Sequence, residues 1–144
     1  MLERLLILAL VATAIISAWA FLRERQRRRL HSLVETRPFA GLVPFGRMAV
    51  VALTLPTCVE CRTRQTPAIE RLRTNLGASI HIVTLSAETH AALVTQLGIL
   101  TVPTTVVLDP AGTVRFLNQG FTDETRLTQQ IATIQALALP REFA

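Results

Sequence analysis

The sequence has few of the residues that build metal sites, and it has no lysine. Its 144 residues include only two cysteines and three histidines, and all 15 basic residues are arginine. Cys58 and Cys61 have the spacing of half a zinc module, but His81 and His90 stand nine residues apart. The usual histidine spacer in such modules is about three to five residues. These scarcities argue against a metal site.

The excess of positive charge is confined to one end of the chain. The formal net charge is +5, yet from Leu30 onward nine arginines are balanced by eight acidic residues. The surplus follows an apolar run, as Arg23, Arg25, Arg27, Arg28 and Arg29. Because the remaining chain is almost neutral, the charge pattern does not predict nucleic-acid binding.

That apolar run, Leu5 to Leu22, contains eighteen residues without a charge. As a helix it would be about 27 Å long, close to the roughly 30 Å hydrocarbon thickness of a bilayer. The run predicts a single transmembrane helix, and the arginines after it favour a C-terminal domain on the cytoplasmic face. Two alternatives stay open: an anchor with its domain on the extracytoplasmic face, and a signal peptide cleaved after Ala18-Trp19-Ala20.

The rest of the chain has the size of one domain. We predict an anchor over 1–29, a proline- and glycine-containing linker over 30–46, a domain over 47–139 and a tail over 140–144. Met48 to Leu55 is a continuous apolar run, typical of a strand covered on both faces. Pro67 interrupts the helix predicted from about Val59 to Leu76.

Further elements follow in regular alternation. Strands are predicted over 80–85, 104–108 and 113–117, and helices over 88–97 and 123–139. The last helix is amphipathic, with one apolar face formed by Leu127, Ile131, Ile134 and Leu137. The order β-α-β-α-β-β-α indicates an α/β fold with a mixed central sheet and helices on both faces.

The two cysteines lie where a strand passes into a helix, as Cys58-Val59-Glu60-Cys61. Unpaired N–H groups at a helix N-terminus stabilise a thiolate and lower the pKa of the thiol, which favours Cys58 as the nucleophile. Cys61 lies three residues further along the same helical face, so it can attack a mixed disulfide formed on Cys58. The motif therefore predicts a redox couple that needs no metal or organic cofactor.

Three landmarks together resemble the thioredoxin superfamily over about Met48 to Leu137. They are the C-x-x-C motif after a strand, Val102-Pro103-Thr104 before a strand, and Asn118-Gln119-Gly120 after a hairpin. The resemblance implies a thioredoxin-like fold, a Cys58–Cys61 disulfide in the oxidised form and a cis peptide bond at Val102-Pro103. It also implies a substrate-binding groove formed by Thr57, Val59, Val102, Pro103 and Gly120.

The chain departs from the thioredoxin pattern around the cysteines. Thr57 replaces the usual tryptophan, and Val59-Glu60 replaces Gly-Pro. Ala52 and Thr84 occupy the positions of the family's buried aspartate and its lysine partner. Glu60 and Arg62 are therefore candidate modulators of the thiols. Pro67 comes one residue later than the family's helix proline, which predicts a local irregularity in the helix.

The leading functional prediction is a membrane-anchored thiol–disulfide oxidoreductase that reduces or exchanges protein disulfides near the bilayer. A thioredoxin-like binding or redox-sensing module without efficient turnover is the alternative, and a metal-delivery protein is the third reading. The predicted partners are protein thiols and disulfides, with the bilayer contacted through residues 5–22.

Overall fold

The computed structural model describes residues 11–21, 23–24 and 37–138. A helix runs through 11–21, and the chain from Arg37 onward forms a separate compact unit. Within these described ranges, no helix is both long and apolar enough to cross a membrane. The predicted span Leu5–Leu22 lies partly outside the described residues. Arg25 to Arg29, residues 30–36 and the tail lie wholly outside them. The transmembrane helix is therefore not shown by the structure.

A four-stranded mixed sheet forms the centre of the compact unit. Its strands are β1 (Ala49–Thr54), β2 (His81–Ser86), β3 (Thr104–Leu108) and β4 (Val114–Gln119). The strand order is β2-β1-β3-β4, with β2 parallel to β1 and the other two pairings antiparallel. The predicted order of elements and the mixed sheet are confirmed.

Three helices connect or follow these strands. The chain turns helical after Cys58 and passes through a π-helical turn (Cys61–Gln65) into α1 (Thr66–Leu76). The short α2 (Ala91–Leu97) ends at Gly98, whose φ of 65° is left-handed and is readily adopted by glycine. The last helix is α3 (Glu124–Ala138).

Two predicted boundaries are corrected. The α2 helix begins at Ala91 rather than at Glu88, because the carbonyl of Ser86 accepts hydrogen bonds from the backbone N–H of His90 (3.2 Å) and contacts its ring (3.0 Å). These contacts hold residues 87–90 in a turn. The β4 strand continues past Leu117 to Gln119, since the sheet pairs even its last polar residues with β3.

The core lies between one face of the sheet and the helices α1 and α3. It includes Val50, Ala52, Leu72, Leu127 and Ile131, each no more than 2% exposed. Every residue from Ala49 to Leu53 is buried, so both faces of β1 are covered, as the continuous apolar run predicts. The core does not extend along the whole predicted apolar face of α3, because Ile134 is buried but Leu137, three residues later, is 65% exposed.

Residues 37–46 lead into β1 and contribute one fully buried side chain to the unit. Phe39 is buried, whereas Phe45 is exposed and lies under the guanidinium of Arg37 at 5.4 Å. Gly46 donates its N–H to the carbonyl of Pro110 at 2.9 Å. This hydrogen bond fixes the entry to β1 against the turn between β3 and β4.

Candidate active site

Cys58 and Cys61 form a disulfide, with their Cα atoms 5.3 Å apart. Cys58 is half-buried and Cys61 is 1% exposed. The pair is therefore asymmetric: its first sulfur lies toward the surface and its second lies inside. Such an asymmetry suits one cysteine to meet a substrate and the other to act within the protein.

Cys58 occupies the position of a helix N-cap. Its carbonyl accepts the N–H of Arg62 at 3.4 Å, and its Sγ accepts the N–H of Cys61 at 3.1 Å. A side chain at the N-cap normally satisfies one of the unpaired N–H groups of the first helical turn, and here sulfur takes that place. The same N–H would stabilise a Cys58 thiolate.

The π-helical turn is the irregularity that the late position of Pro67 predicts. The backbone N–H of Thr66 donates to the carbonyl of Cys61, five residues earlier, and the hydroxyl of Thr66 donates to the same carbonyl at 2.9 Å. A single π turn accommodates one extra residue in a helix. The π turn begins at Cys61 itself, so the insertion lies within one turn of the buried cysteine.

The Val102-Pro103 peptide bond is cis, as the resemblance predicts. Pro103 is buried, and its carbonyl accepts the N–H of Gly120 at 2.8 Å. Gly120 has a φ of 90°, a backbone conformation in which a β-carbon would be strained. Two of the predicted groove residues are therefore joined directly.

The sheet register brings the predicted groove residues to one end of the sheet. Leu53 near the end of β1 pairs with Thr104, and Thr104 pairs with Gln119. Pro103 directly precedes this row and Gly120 directly follows it, while Cys58 lies four residues after the end of β1. A cavity of about 340 Å³ is lined by Leu55 and Val102 among others, so the loop leading to Cys58 lies beside the cis proline segment.

The remaining predicted site residues surround the disulfide at the surface. Thr57, Val59, Glu60 and Arg62 are all exposed, Val59 by 62%. Glu60 forms an ion pair with Arg64 at 2.9 Å. Arg62 forms no ion pair within the described part of the chain, so its charge is free at the rim of the site.

The positions of the family's buried aspartate and its lysine partner contain no titratable group. Ala52 is buried in the core, and Thr84, its partner in the β1–β2 register, is exposed. On the other side of Ala52 the row continues through Thr105 and Asn118. Asn118 exchanges two amide hydrogen bonds with Gln130, at 2.9 and 2.8 Å. This side of the sheet therefore carries a neutral polar cluster in place of a proton acceptor.

Four neighbouring residues were missed by the sequence predictions: Arg64, Gln65, Phe121 and Thr122. Gln65 is 1% exposed and binds the backbone of Thr122, while the Arg64 guanidinium lies 4.1 Å from the ring centre of Phe121. The sequence contains one signal that points to Gln65. Counting back in helical steps from Leu72 and Ile69 reaches Gln65, a polar residue on an otherwise apolar face. Within the described residues, no group of three His, Cys, Asp or Glu could hold a metal ion.

The mixed sheet, the C-x-x-C turn after β1 and the cis proline before β3 define the thioredoxin fold, and solved structures agree. Fasciola hepatica thioredoxin aligns with a TM-score of 0.54 at 20% identity, over 72% of this chain and 89% of its own. Chloroplastic thioredoxin z gives 0.55 at 17% identity, over 63% and 80%. MTB DsbF, solved in mixed oxidized and reduced forms, gives 0.53 at 15% identity, over 62% and 82%. No protein-family model and no curated protein sequence matches the chain.

Proposed function

We propose that this protein is a membrane-anchored thiol–disulfide oxidoreductase that acts on protein disulfides. The observation that carries the proposal is the asymmetric Cys58–Cys61 disulfide, with Cys58 at the surface and at a helix N-cap, and Cys61 buried behind it. Static structural disulfides do not need this exposure or an N–H donor aimed at the outer sulfur. The thioredoxin folds of the solved structures support the same chemistry.

In the reducing direction, the Cys58 thiolate attacks one sulfur of a substrate disulfide and expels the other substrate sulfur as a thiolate. Cys61 loses its proton and attacks Sγ of Cys58, which breaks the mixed disulfide and releases the second substrate thiol. The substrate gains two electrons and two protons, and the protein is left with the Cys58–Cys61 disulfide. The reverse sequence oxidises a dithiol.

The site offers a groove for the polypeptide around the target cysteine. Val102, Pro103 and Gly120 together form one wall of it, since the carbonyl of Pro103 accepts the N–H of Gly120. Thr57 and Val59 are exposed at the edge nearest Cys58. An extended substrate segment would lie along this wall and pair with its backbone.

The proposed anchor is the segment 5–22. Its described part exposes large apolar side chains, namely Val11, Ile15, Ile16, Trp19 and Phe21. The guanidinium of Arg23 lies 4.7 Å from the ring centre of Trp19. Aromatic and basic side chains side by side are typical of the membrane interface. Anchoring would raise the effective concentration of disulfides on membrane-proximal partners, and the arginine cluster favours the cytoplasmic face.

Insulin reduction by the full chain in detergent micelles tests the activity. With dithiothreitol as the electron donor, wild type should accelerate precipitation of the insulin B chain over the rate with dithiothreitol alone, and Cys58→Ser should not. Equal rates for the two proteins would refute the proposal. Labelling of intact cells with a membrane-impermeant thiol reagent, after reduction with a membrane-impermeant phosphine, tests the orientation. A domain on the cytoplasmic face should leave Cys58 unlabelled until the cells are permeabilised, and immediate labelling would place it outside.

A thioredoxin-like binding or redox-sensing module is the second candidate. The absence of a proton acceptor at Ala52 and Thr84 favours it, because deprotonation of Cys61 then lacks its usual base. The two candidates differ in a trapping experiment. With Cys61→Ser, an oxidoreductase should accumulate mixed disulfides through Cys58, and a binding module should accumulate none above the level of the double Cys58→Ser, Cys61→Ser variant.

A further inference from the structure

Gln65, the last residue of the π-helical turn, is buried, and both polar atoms of its amide group form hydrogen bonds with one distant residue. Its Nε2 donates to the carbonyl of Thr122 at 3.1 Å, and its Oε1 accepts the N–H of Thr122 at 3.0 Å. Gln65 is 1% exposed and Thr122 is 4% exposed. A side-chain amide that offers one donor and one acceptor to one backbone unit copies the pairing of neighbouring strands.

The preceding residue reinforces the same connection from the surface. Arg64 lies over the ring of Phe121 at 4.1 Å and pairs with Glu60 at 2.9 Å. Two consecutive residues of the turn therefore contact two consecutive residues of the loop after β4. The contact made by Gln65 is the buried one, so its hydrogen bonds do not compete with water.

This loop begins at Gly120, whose N–H is held by the carbonyl of Pro103 at 2.8 Å. A continuous path thus runs from Cys61, at the start of the π turn, through Gln65 and Thr122 to Gly120 and Pro103. No other side chain in the described residues hydrogen-bonds this loop to the turn that contains Cys61. Gln65 therefore supplies the side-chain hydrogen bonds that connect the groove wall at Gly120 to the turn of the cysteines.

We propose that Gln65 is a positioning residue for polypeptide binding: it holds the Gly120 wall of the groove at a fixed place relative to Cys61. It sets the affinity for an extended substrate segment and takes no part in the exchange of thiols. This inference rests on the proposed oxidoreductase function, because it assigns the groove to the substrate of that reaction.

Two substrates separate positioning from thiol chemistry. Insulin needs the groove, whereas 5,5′-dithiobis(2-nitrobenzoate), a small disulfide without a polypeptide, does not. With Gln65→Met, which keeps the side-chain length and removes both hydrogen bonds, the KM for insulin should rise by about tenfold, equivalent to about 1.4 kcal/mol. The rate at which the pre-reduced protein, freed of reductant, reduces the small disulfide should stay within about twofold of wild type.

Gln130 provides the matched control, because it is another buried amide with two amide hydrogen bonds, made to Asn118 rather than to the loop. Gln130→Met should lower the urea midpoint and leave the insulin KM unchanged. Exchange of the Gly120 amide hydrogen, followed by NMR, should be faster in Gln65→Met but not in Gln130→Met. An equal rise in KM for both variants, or unchanged exchange at Gly120, would overturn the proposal.

Gln65→Glu adds a readout that a general loss of stability would not produce. An ionised carboxylate can accept the Thr122 N–H but has no donor for the Thr122 carbonyl, and protonation restores that donor. Burial raises the pKa of such a carboxyl. The insulin KM of Gln65→Glu, divided by that of wild type, should therefore fall as the pH is lowered from about 8 to about 5.

The outcomes also separate this inference from the function beneath it. A wild-type protein that reduces neither disulfide contradicts the oxidoreductase proposal and the substrate role of Gln65 together. A wild type that reduces both, with Gln65→Met unchanged on insulin, contradicts the role of Gln65 alone.

Discussion

Ala52 on β1 lies directly beside Thr84 on β2 in the parallel register of the sheet. The thioredoxin resemblance places a buried aspartate and its lysine partner at these two positions. Here the first side chain is a methyl group packed in the core and the second is an exposed hydroxyl. Neither position therefore supplies a titratable group, and a carboxylate introduced at Ala52 would lie beside a hydroxyl rather than a cation.

Ala52→Asp should make stability fall as the pH rises. Burial raises the folded-state pKa of the new carboxyl above its unfolded value of about 3.9. Its penalty is therefore smallest below about pH 4, grows as the pH rises through the folded-state pKa, and reaches about 1.4 kcal/mol at neutral pH for each unit of that rise. Ala52→Asn is the control, since its penalty should not vary with pH. Urea unfolding of both variants over the pH range checks this, and parallel pH profiles would contradict it.

Gly120→Ala should weaken substrate binding in addition to costing stability. Gly120 and Gly112 have φ values of 90° and 78°, and a β-carbon at either would meet no atom within 4 Å. Both alanine variants should therefore lose only the backbone strain energy, about 1–2 kcal/mol. Gly112 lies in the turn between β3 and β4, so only Gly120→Ala should raise the insulin KM. Equal KM values for the two variants would show that Gly120 is not part of the groove.

Leu72→Ala should destabilise the domain by about 2–5 kcal/mol, because it removes a side chain at the centre of the core. Leu72 is 0% exposed, and it packs in the cluster between the sheet, α1 and α3. Leu137→Ala makes the same chemical change at a side chain that is 65% exposed. It should alter the free energy of unfolding by no more than about 0.5 kcal/mol. Thermal or urea unfolding distinguishes the two variants. A large loss of unfolding free energy for Leu137→Ala would show that Leu137 belongs to the core.

Arg64→Gln should slow the alkylation of reduced Cys58 by iodoacetamide through the unpaired charge of Glu60. The pair is solvent-exposed, so its strength is less than about 1 kcal/mol and the rate should fall by no more than about fivefold. Arg62→Gln is the control, because it also removes one positive charge beside the site but leaves the Glu60–Arg64 ion pair intact.

The Glu60→Gln background separates the two arginines. If Arg64 acts through Glu60, then Arg64→Gln should lose its effect on the alkylation rate in that background, while any effect of Arg62→Gln should persist. Independent, additive effects of Arg64→Gln and Glu60→Gln would show that the ion pair does not influence the thiol.

Local sequence patterns predicted most of the fold. The apolar run Met48 to Leu55 predicted a strand buried on both faces, and the displaced Pro67 predicted a helix irregularity that proves to be the π turn. The pattern failed at Leu137, since helical spacing continues to the end of α3 while the core does not. Spacing along a helix says which face a residue is on, but not how far the neighbouring layer extends.

The candidate site was likewise predictable only where it is formed by a local sequence pattern. The C-x-x-C motif and Val102-Pro103 could be found in the sequence, because each is a local pattern with its own chemistry. The bond between Gln65 and Thr122 joins residues 57 positions apart, so no local pattern predicts it.

The sequence by itself determined the order of the elements, the cysteine couple and the apolar segment before the arginines, since these depend on the periodicity and chemistry of neighbouring residues. The tertiary structure alone decided that Cys61 is buried while Cys58 is reachable, that Arg64 pairs with Glu60, and that Gln65 ties the turn to the groove wall. Burial and long-range hydrogen bonds depend on which elements the sheet brings together. They exist only once the chain has folded.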